Sequence, residues 1–362
     1  MDIIQTFAPQ LLMILLSLLL AYLAIVKKYE PLLLLPISFG MLIANIPAAG
    51  LSAYDQGGLM YFIYQGIAQV IFPPLIFLCL GAMTDFGPLI ASPKTAIIGL
   101  GGQLGIFAAF GLAILFGFSP YAAASIGIIG SSDGPTAILT AATLSPELLP
   151  VIGIAAYSYM ALVPIIQPPI MRLLTTEKER VIVMPEPKRI TQRQKIIFPI
   201  AITLATLIFL PAAAPLISMM MLGNLIKESG VTERYIRTLQ NDAMNILTLA
   251  IGLSIGSAAT AGLMLRLETI LIIILGLLAF AFGTAGGVLI AKLLNYITGG
   301  KVNPLIGNAG VSAMPMAARV SQKLGQQYNP QNHLLMHAMG AIVASTLGSA
   351  IIAGIFITMF GG

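Results

Sequence analysis

The chain has 362 residues, of which 58% are hydrophobic and 9% charged, with a mean hydropathy of +0.96. A soluble domain carries about 25% charged residues, so this composition excludes a water-soluble globule and predicts an all-α polytopic membrane protein. The net charge of +5 sits in loops, which reads as positive-inside topology rather than nucleic-acid binding, and the single Cys79 excludes an internal disulfide or a cysteine metal cluster.

The start, Met1-Asp2-Ile3-Ile4, lacks a basic n-region, so no cleavable signal peptide is expected. Hydropathy predicts spanning helices over 9–26, 31–47, 59–80, 96–118, 148–172, 196–210, 212–226, 240–260, 268–291 and 333–359. The pair 196–210 and 212–226 falls short of the ~20 residues a span needs. There, Pro211 and Pro215 also allow a single kinked element. Two segments, 121–140 and 303–320, are short and interrupted by Gly and Pro, and are predicted to be re-entrant or unwound.

The first broken segment carries Asp133 among Gly127, Gly130, Gly134 and Pro135. A carboxylate at bilayer depth costs on the order of 2.5–3.5 kcal/mol on insertion scales, so it is normally kept for function. Irregular backbone at that depth survives only against protein or a water-filled cavity. Together these point to an ion or proton site. The second broken segment holds Asn303, Gly307, Asn308 and Ser312, with Arg319 following. Amide and hydroxyl oxygens, joined by freed carbonyls, suit a desolvated Na⁺.

With the N-terminus outside and both broken segments returning to the side they entered, 16 of the 18 basic residues fall in cytoplasmic loops. The most basic loop, 172–195, is the only sizeable hydrophilic stretch and reads as a linker. The predicted division is therefore a first membrane repeat over 1–175, a basic cytoplasmic linker over 176–195 and a second membrane repeat over 196–362. A shift of 180 residues maps Gly127, Gly130 and Pro135 onto Gly307, Gly310 and Pro315. Each half then has five spans, and an odd number inverts the second half. Matched interruptions in inverted halves mark a transporter-type site at the midplane.

Two runs carry a family resemblance. They are Ser131-Ser132-Asp133-Gly134-Pro135-Thr136-Ala137 and the stretch from Asn303-Pro304-Leu305-Ile306-Gly307-Asn308 to Met314-Pro315-Met316-Ala317-Ala318-Arg319. They resemble the signatures of the β subunits of sodium-pumping, biotin-dependent decarboxylases, and the resemblance covers essentially the whole chain. It implies a membrane subunit of the bacterial or archaeal cytoplasmic membrane, and the charge distribution above places both termini outside. That subunit would decarboxylate carboxybiotin, consume a proton and export Na⁺. It further implies Na⁺ and carboxybiotin as the small-molecule partners. A biotin carrier protein, a carboxyltransferase and a small anchoring subunit are the implied protein partners, and a homo-oligomer is expected. The family's functional aspartate falls on Asp133, its tyrosine on Tyr159, and its asparagine, glycine, serine and arginine on Asn303, Gly307, Ser312 and Arg319. Many relatives have Gly-Ala or Ala-Ala where Ser131-Ser132 stand here. The chain is also short for an oxaloacetate-type β subunit, which favours an acyl-CoA-type complex.

Simpler readings stand beside these. Asp133 and Asn303 can cap half-helices, Ser312 can bond back to a carbonyl, Tyr159 can be a packed tyrosine and Arg319 can snorkel. Asp242 reads as a helix cap. His333 and His337 have metal-ligand spacing but no third ligand nearby in sequence, so an interfacial helix end is the expected role. The competing function is a stand-alone Na⁺-coupled secondary transporter or Na⁺/H⁺ antiporter, which composition cannot separate from a decarboxylase subunit.

Overall fold

A computed structural model describes residues 2–185 and 190–361. Its longer helices in the first half are α1 (Asp2–Ile25), α2 (Pro31–Ala44), α3 (Leu59–Ala68), α4 (Phe72–Met83), α5 (Lys94–Leu115), α6 (Pro120–Ile128), α7 (Gly134–Leu144) and α8 (Leu149–Leu174). Those in the second half are α9 (Gln192–Phe209), α10 (Ala214–Ser229), α11 (Met244–Ala258), α12 (Leu267–Ile297), α13 (Met316–Tyr328) and α14 (Leu335–Phe360). No strand occurs among the described residues. Among the described residues four helices are long and apolar enough to cross a membrane, or up to six if each bent pair is one span. Together they make a polytopic membrane protein.

Two departures from the sequence expectation, and the choice left open at 196–226, have local causes. The expected span 59–80 is the pair α3 and α4, bent by 68°. Val70 takes φ 57° there, and Pro73 and Pro74 start a new helix. The span 148–172 is the single helix α8, which bends by 63° near residue 161. Pro164 has no N–H for the Met160 carbonyl and its ring pushes against that turn. The doubtful stretch 196–226 is a hairpin, because α9 and α10 are joined by the tight turn Pro211–Ala213. The Gln192 side chain at the start of α9 donates to the Glu228 carbonyl near the end of α10, so the two helices run antiparallel.

Small residues set the helix packing. A Cβ on Gly256 would lie 2.2 Å from the Ile37 carbonyl oxygen, which brings α11 against α2. Gly81 and Gly223 do the same for α4 and α10. In a membrane such close backbone approach replaces the hydrophobic drive that water would supply.

The two ends of the molecule along α14 are chemically distinct. At its Leu335 end, loops from both halves are tied together. The Asn303 and Asn332 amides donate to the Arg180 carbonyl at 3.0 and 2.9 Å, and Arg180 Nη1 donates to the Tyr328 hydroxyl at 2.8 Å. Lys195 pairs with Asp85 and Glu228, and Lys292 with Glu179. Partial burial pushes the Glu179 carboxyl up, but the Thr176 N–H and hydroxyl together with Lys292 outweigh it and hold it below the usual range. Lys188, Arg189 and Pro187, which belong to the same basic loop by sequence, lie outside the described residues. At the other end, Phe360 meets the rings of Phe110 and Tyr121, and Leu144 lies against Gly361.

Arg180 is buried and its guanidinium serves Thr175, Tyr328 and the carbonyls of Arg172 and Thr175, while stacking 4.8 Å over the Tyr328 ring. Arg180→Met is expected to cost about 3 kcal/mol, because buried acceptors lose charge-assisted donors. Limited proteolysis of the 175–190 loop measures it, and cleavage should speed up at least tenfold.

Candidate functional site

Both broken segments are hairpins whose ends return to one side. The first enters at Tyr121, against Phe360, and leaves at Leu144, against Gly361. Between α6 and α7 it passes through the turn Ile129–Ser131, a left-handed Ser132 (φ 53°) and an extended Asp133. The second enters at Asn303 and leaves at Tyr328, both held by Arg180. Between the tight helix Pro304–Gly310 and α13 it runs through Val311 to Met314. The hairpins therefore enter from opposite ends of α14, and their tips touch where the Ser312 N–H donates to the Ser131 carbonyl at 2.7 Å.

Glycine at the tips is required by close approach. A Cβ on Gly102 of α5 would lie 1.7 Å from the Gly310 carbonyl oxygen, and one on Gly287 of α12 would lie 2.1 Å from that of Gly307. A Cβ on Gly130 would lie 2.6 Å from the Gly105 carbonyl carbon. Helices α5 and α12 thus hold both tips backbone to backbone.

Asp133 is 4% exposed. Its Oδ2 accepts from the Thr136 hydroxyl and from the Ser349 hydroxyl, each at 2.7 Å. Ser349 lies fourteen residues from Leu335 and eleven from Phe360 in α14. At 1.5 Å per residue it is about 17 Å from the Phe360 end, close to mid-depth in a core about 30 Å thick. One turn back on the same face, Ser345 Oγ donates to the Gly310 carbonyl (2.5 Å), lies 3.0 Å from Ser312 Oγ and accepts from Gln103 Nε2 at 2.9 Å. Around this cluster Ser132 Oγ, Tyr157 Oη and Gln103 Oε1 are buried without a hydrogen-bond partner among the described residues. Buried polar atoms are nearly always partnered. Three orphaned oxygens beside a carboxylate and a tip of freed backbone are the donor set a small hard cation takes.

The expected site residues divide by place. Asp133 and Ser312 lie at the touching tips. Asn308 packs further along the second hairpin, where its amide donates to Gln167 Oε1 (2.7 Å) and the Ala317 carbonyl (2.9 Å) and its oxygen accepts from Ser321. Gly307 serves the α12 contact. Asn303 sits at the Leu335 end: it caps the tight helix through the Leu305 N–H and clamps the Arg180 and Ile182 carbonyls. Arg319 is exposed on α13 near Glu30, whose carboxyl burial pushes up and Arg319 pulls down. The Tyr159 hydroxyl donates to the Ile273 carbonyl of α12. The tyrosine beside Asp133 is Tyr157, whose ring carbon would be 2.5 Å from a Cβ on Gly134. Asp242 is exposed within a π-helical turn, and His337 is buried with its ring toward the Pro185 backbone. No group of three or more His, Cys, Asp or Glu suited to a metal occurs among the described residues.

Sequence reasoning missed Ser345 and Ser349. Their signal was an i, i+4 polar pair within an apolar helix, which gains meaning only once that face is seen to meet Asp133. Tyr157 was overlooked for Tyr159 because two helical residues point to different faces.

Comparison with known proteins gives a consistent answer. The profile described as "Na+-transporting oxaloacetate decarboxylase beta subunit" matches residues 9–360. The chain is 55% identical to the methylmalonyl-CoA decarboxylase subunit beta of Veillonella parvula, over 96% of this chain and 92% of that protein. It is 52% identical to the glutaconyl-CoA decarboxylase subunit beta of Acidaminococcus fermentans, over 97% and 93%. Against the oxaloacetate decarboxylase beta chain 2 of Salmonella typhi the identity is 46%, over 99% and 96%. With matched signatures, two opposed hairpins and a buried carboxylate at their tips, the chain belongs to the family of Na⁺-transporting decarboxylase β subunits.

Proposed function

We propose that Asp133, in the first hairpin tip, is the residue that alternately takes Na⁺ and a proton while this subunit decarboxylates carboxybiotin. The observation that carries this is the buried Asp133 carboxylate, held by Thr136 and Ser349 where the two hairpins meet. A buried carboxylate is tolerated only when a cation or a proton compensates it. Na⁺ is the transported substrate, and Ser312, Ser132 and Tyr157 supply neutral oxygens around it. Asn303, Gly307 and Asn308 support the site at a distance: they fix the second hairpin so that Ser312 meets Ser131. Tyr159 contributes by seating α8 on α12. Arg319, exposed on α13, faces carboxybiotin. In the chemical step the bond from the ureido nitrogen to the carboxyl carbon breaks. Its electron pair stays on nitrogen, which takes a proton, and CO₂ leaves. Moving one charge outward against 100 mV costs about 2.3 kcal/mol, and that release drives it.

The architecture we infer is two inverted repeats, 1–175 and 196–362, joined by a cytoplasmic linker, with both termini outside. Paired packing supports it. α2 packs on α11 as α10 packs on α4, α5 on α14 as α12 on α8, and α7 on α14 as α13 on α8. Each pair exchanges the elements related by the 180-residue shift. The protein works within a multi-subunit decarboxylase. We assign it a biotin carrier and a carboxyltransferase as partners, with a small anchoring subunit, and an acyl-CoA rather than a keto-acid substrate for the complex. A stand-alone antiporter is disfavoured by family membership.

Reconstitution tests the reading. Purified protein in liposomes should decarboxylate free carboxybiotin with ²²Na⁺ uptake; turnover that neither needs nor moves Na⁺ refutes it. Tyr157→Phe should raise the Na⁺ concentration for half-maximal turnover about tenfold with little change in melting temperature, since its hydroxyl has no partner to lose among the described residues. An unchanged Na⁺ dependence would remove Tyr157 from the ion shell.

A further inference from the structure

Between the bend of α8 and α13 lies a cavity of about 250 Å³, open at the basic-loop end of the molecule. Its walls are Pro164 and Pro168 on one side and Val320 and Leu324 on the other, with Arg172, Lys323 and Gln327 at the mouth. Three chemical features coincide there. First, the two cations have no carboxylate within ion-pair distance among the described residues. Arg172 Nη2 instead donates to Gln327 Oε1 at 3.1 Å, which holds the guanidinium over the mouth. Second, Pro168 has no N–H, so the carbonyl of Pro164, which also lines the cavity, lacks its usual partner four residues on. Third, Val320 and Leu324 are buried and give the cavity an apolar floor.

We infer that this cavity receives the ring system of carboxybiotin, with Arg172 and Lys323 holding its carboxylate; the inference rests on the decarboxylase reading above. A carboxylated cyclic urea fused to a thioether ring presents one anionic carboxylate, one ureido N–H and an apolar body. The mouth cations match the carboxylate. A proline-freed carbonyl at the bend accepts the N–H, and the Pro164, Pro168, Val320 and Leu324 walls take the body. Arg319 stands one turn nearer the hairpin tip than Lys323 on the same exposed face of α13. The same bent helix carries Tyr157 beside Asp133 on one side of its bend and Arg172 on the other. Site and cavity therefore share α8, while α13 leads from the second hairpin tip to the opposite wall. The shared chemistry, an anion over an apolar slot, also fits the headgroup of an anionic phospholipid, and the test separates the two.

Arg172→Gln, Lys323→Gln and the double variant are compared with wild type and with Lys301→Gln, an exposed loop cation outside the cavity. Folding is monitored by dye labelling of the single buried Cys79 during heating. In neutral phosphatidylcholine liposomes the double variant should raise the KM for free carboxybiotin about ten- to a hundredfold. Its half-saturating Na⁺ concentration should match wild type, and Lys301→Gln should be unchanged. Equilibrium dialysis against ¹⁴C-carboxybiotin without Na⁺ should give the same loss. An unchanged KM and unchanged dialysis in a folded double variant would overturn the proposal. So would a defect seen only with phosphatidylglycerol present, which assigns the cavity to a lipid headgroup. Wild type that binds carboxybiotin but does not decarboxylate it would refute the decarboxylase reading and leave the cavity assignment standing.

Discussion

Asp133→Asn is expected to abolish Na⁺-coupled turnover, lowering ²²Na⁺ uptake at least a hundredfold while the protein stays folded. The amide keeps the shape of the carboxylate and can still meet Thr136 and Ser349, so the hairpin tip keeps its geometry. What is lost is the charge that makes a buried cation tolerable. Ser349→Ala and Thr136→Ala should fall between, each weakening apparent Na⁺ affinity about tenfold, because each removes one hydroxyl from Oδ2. The discriminating measurement is Na⁺ dependence of carboxybiotin decarboxylation in liposomes, beside a thermal melt. An Asp133→Asn protein that still pumped Na⁺ would move the site elsewhere.

The second large effect concerns backbone approach. Gly102→Ala places a methyl 1.7 Å from the Gly310 carbonyl oxygen, with no flexible side chain to yield. Overpacking of this kind costs about 1–3 kcal/mol and sometimes more. Here it also pushes the second hairpin tip away from Ser131, so Na⁺ dependence should fail together with stability. Gly111→Ala in the same helix α5 meets nothing within 4 Å. It should stabilise by about 0.5–1 kcal/mol, as Gly to Ala does in a helix interior. Cys79 labelling during heating reads both, and the two melting shifts should have opposite signs. Equal shifts would mean that the tip contact bears no weight.

Much was legible from composition. Hydropathy placed the long helices α5 and α14 closely and found α1 and α12 with one end too short, because a segment facing lipid must be apolar over its length while a helix can run on past the lipid. The Gly and Pro runs around Asp133 and Gly307 marked the two breaks, because these residues cannot continue a regular helix. The bends were less visible. Pro73, Pro164 and Pro168 are plain in the sequence, but a proline can start, kink or end a helix, and only the neighbours decide which. The hairpin 192–229 was ambiguous for the same reason at Pro211.

Residue type and order alone gave away the membrane class and the family, and singled out Asp133 as the carboxylate of the proposed site. Each is a property of residue type and order: apolar runs, paired Gly-Pro breaks, and one acid where lipid depth penalises charge. Which residues share space with that carboxylate emerges only in the folded chain. Folding brought Ser349, some two hundred positions away, onto Asp133. It put Tyr157 rather than Tyr159 beside it, and it carried Asn303 to the far end of α14. In a bundle of short helices a residue's depth follows from where its hairpin turns. The glycine contacts of α5 and α12 set that turn, and they become neighbours of the tips only when the chain is folded.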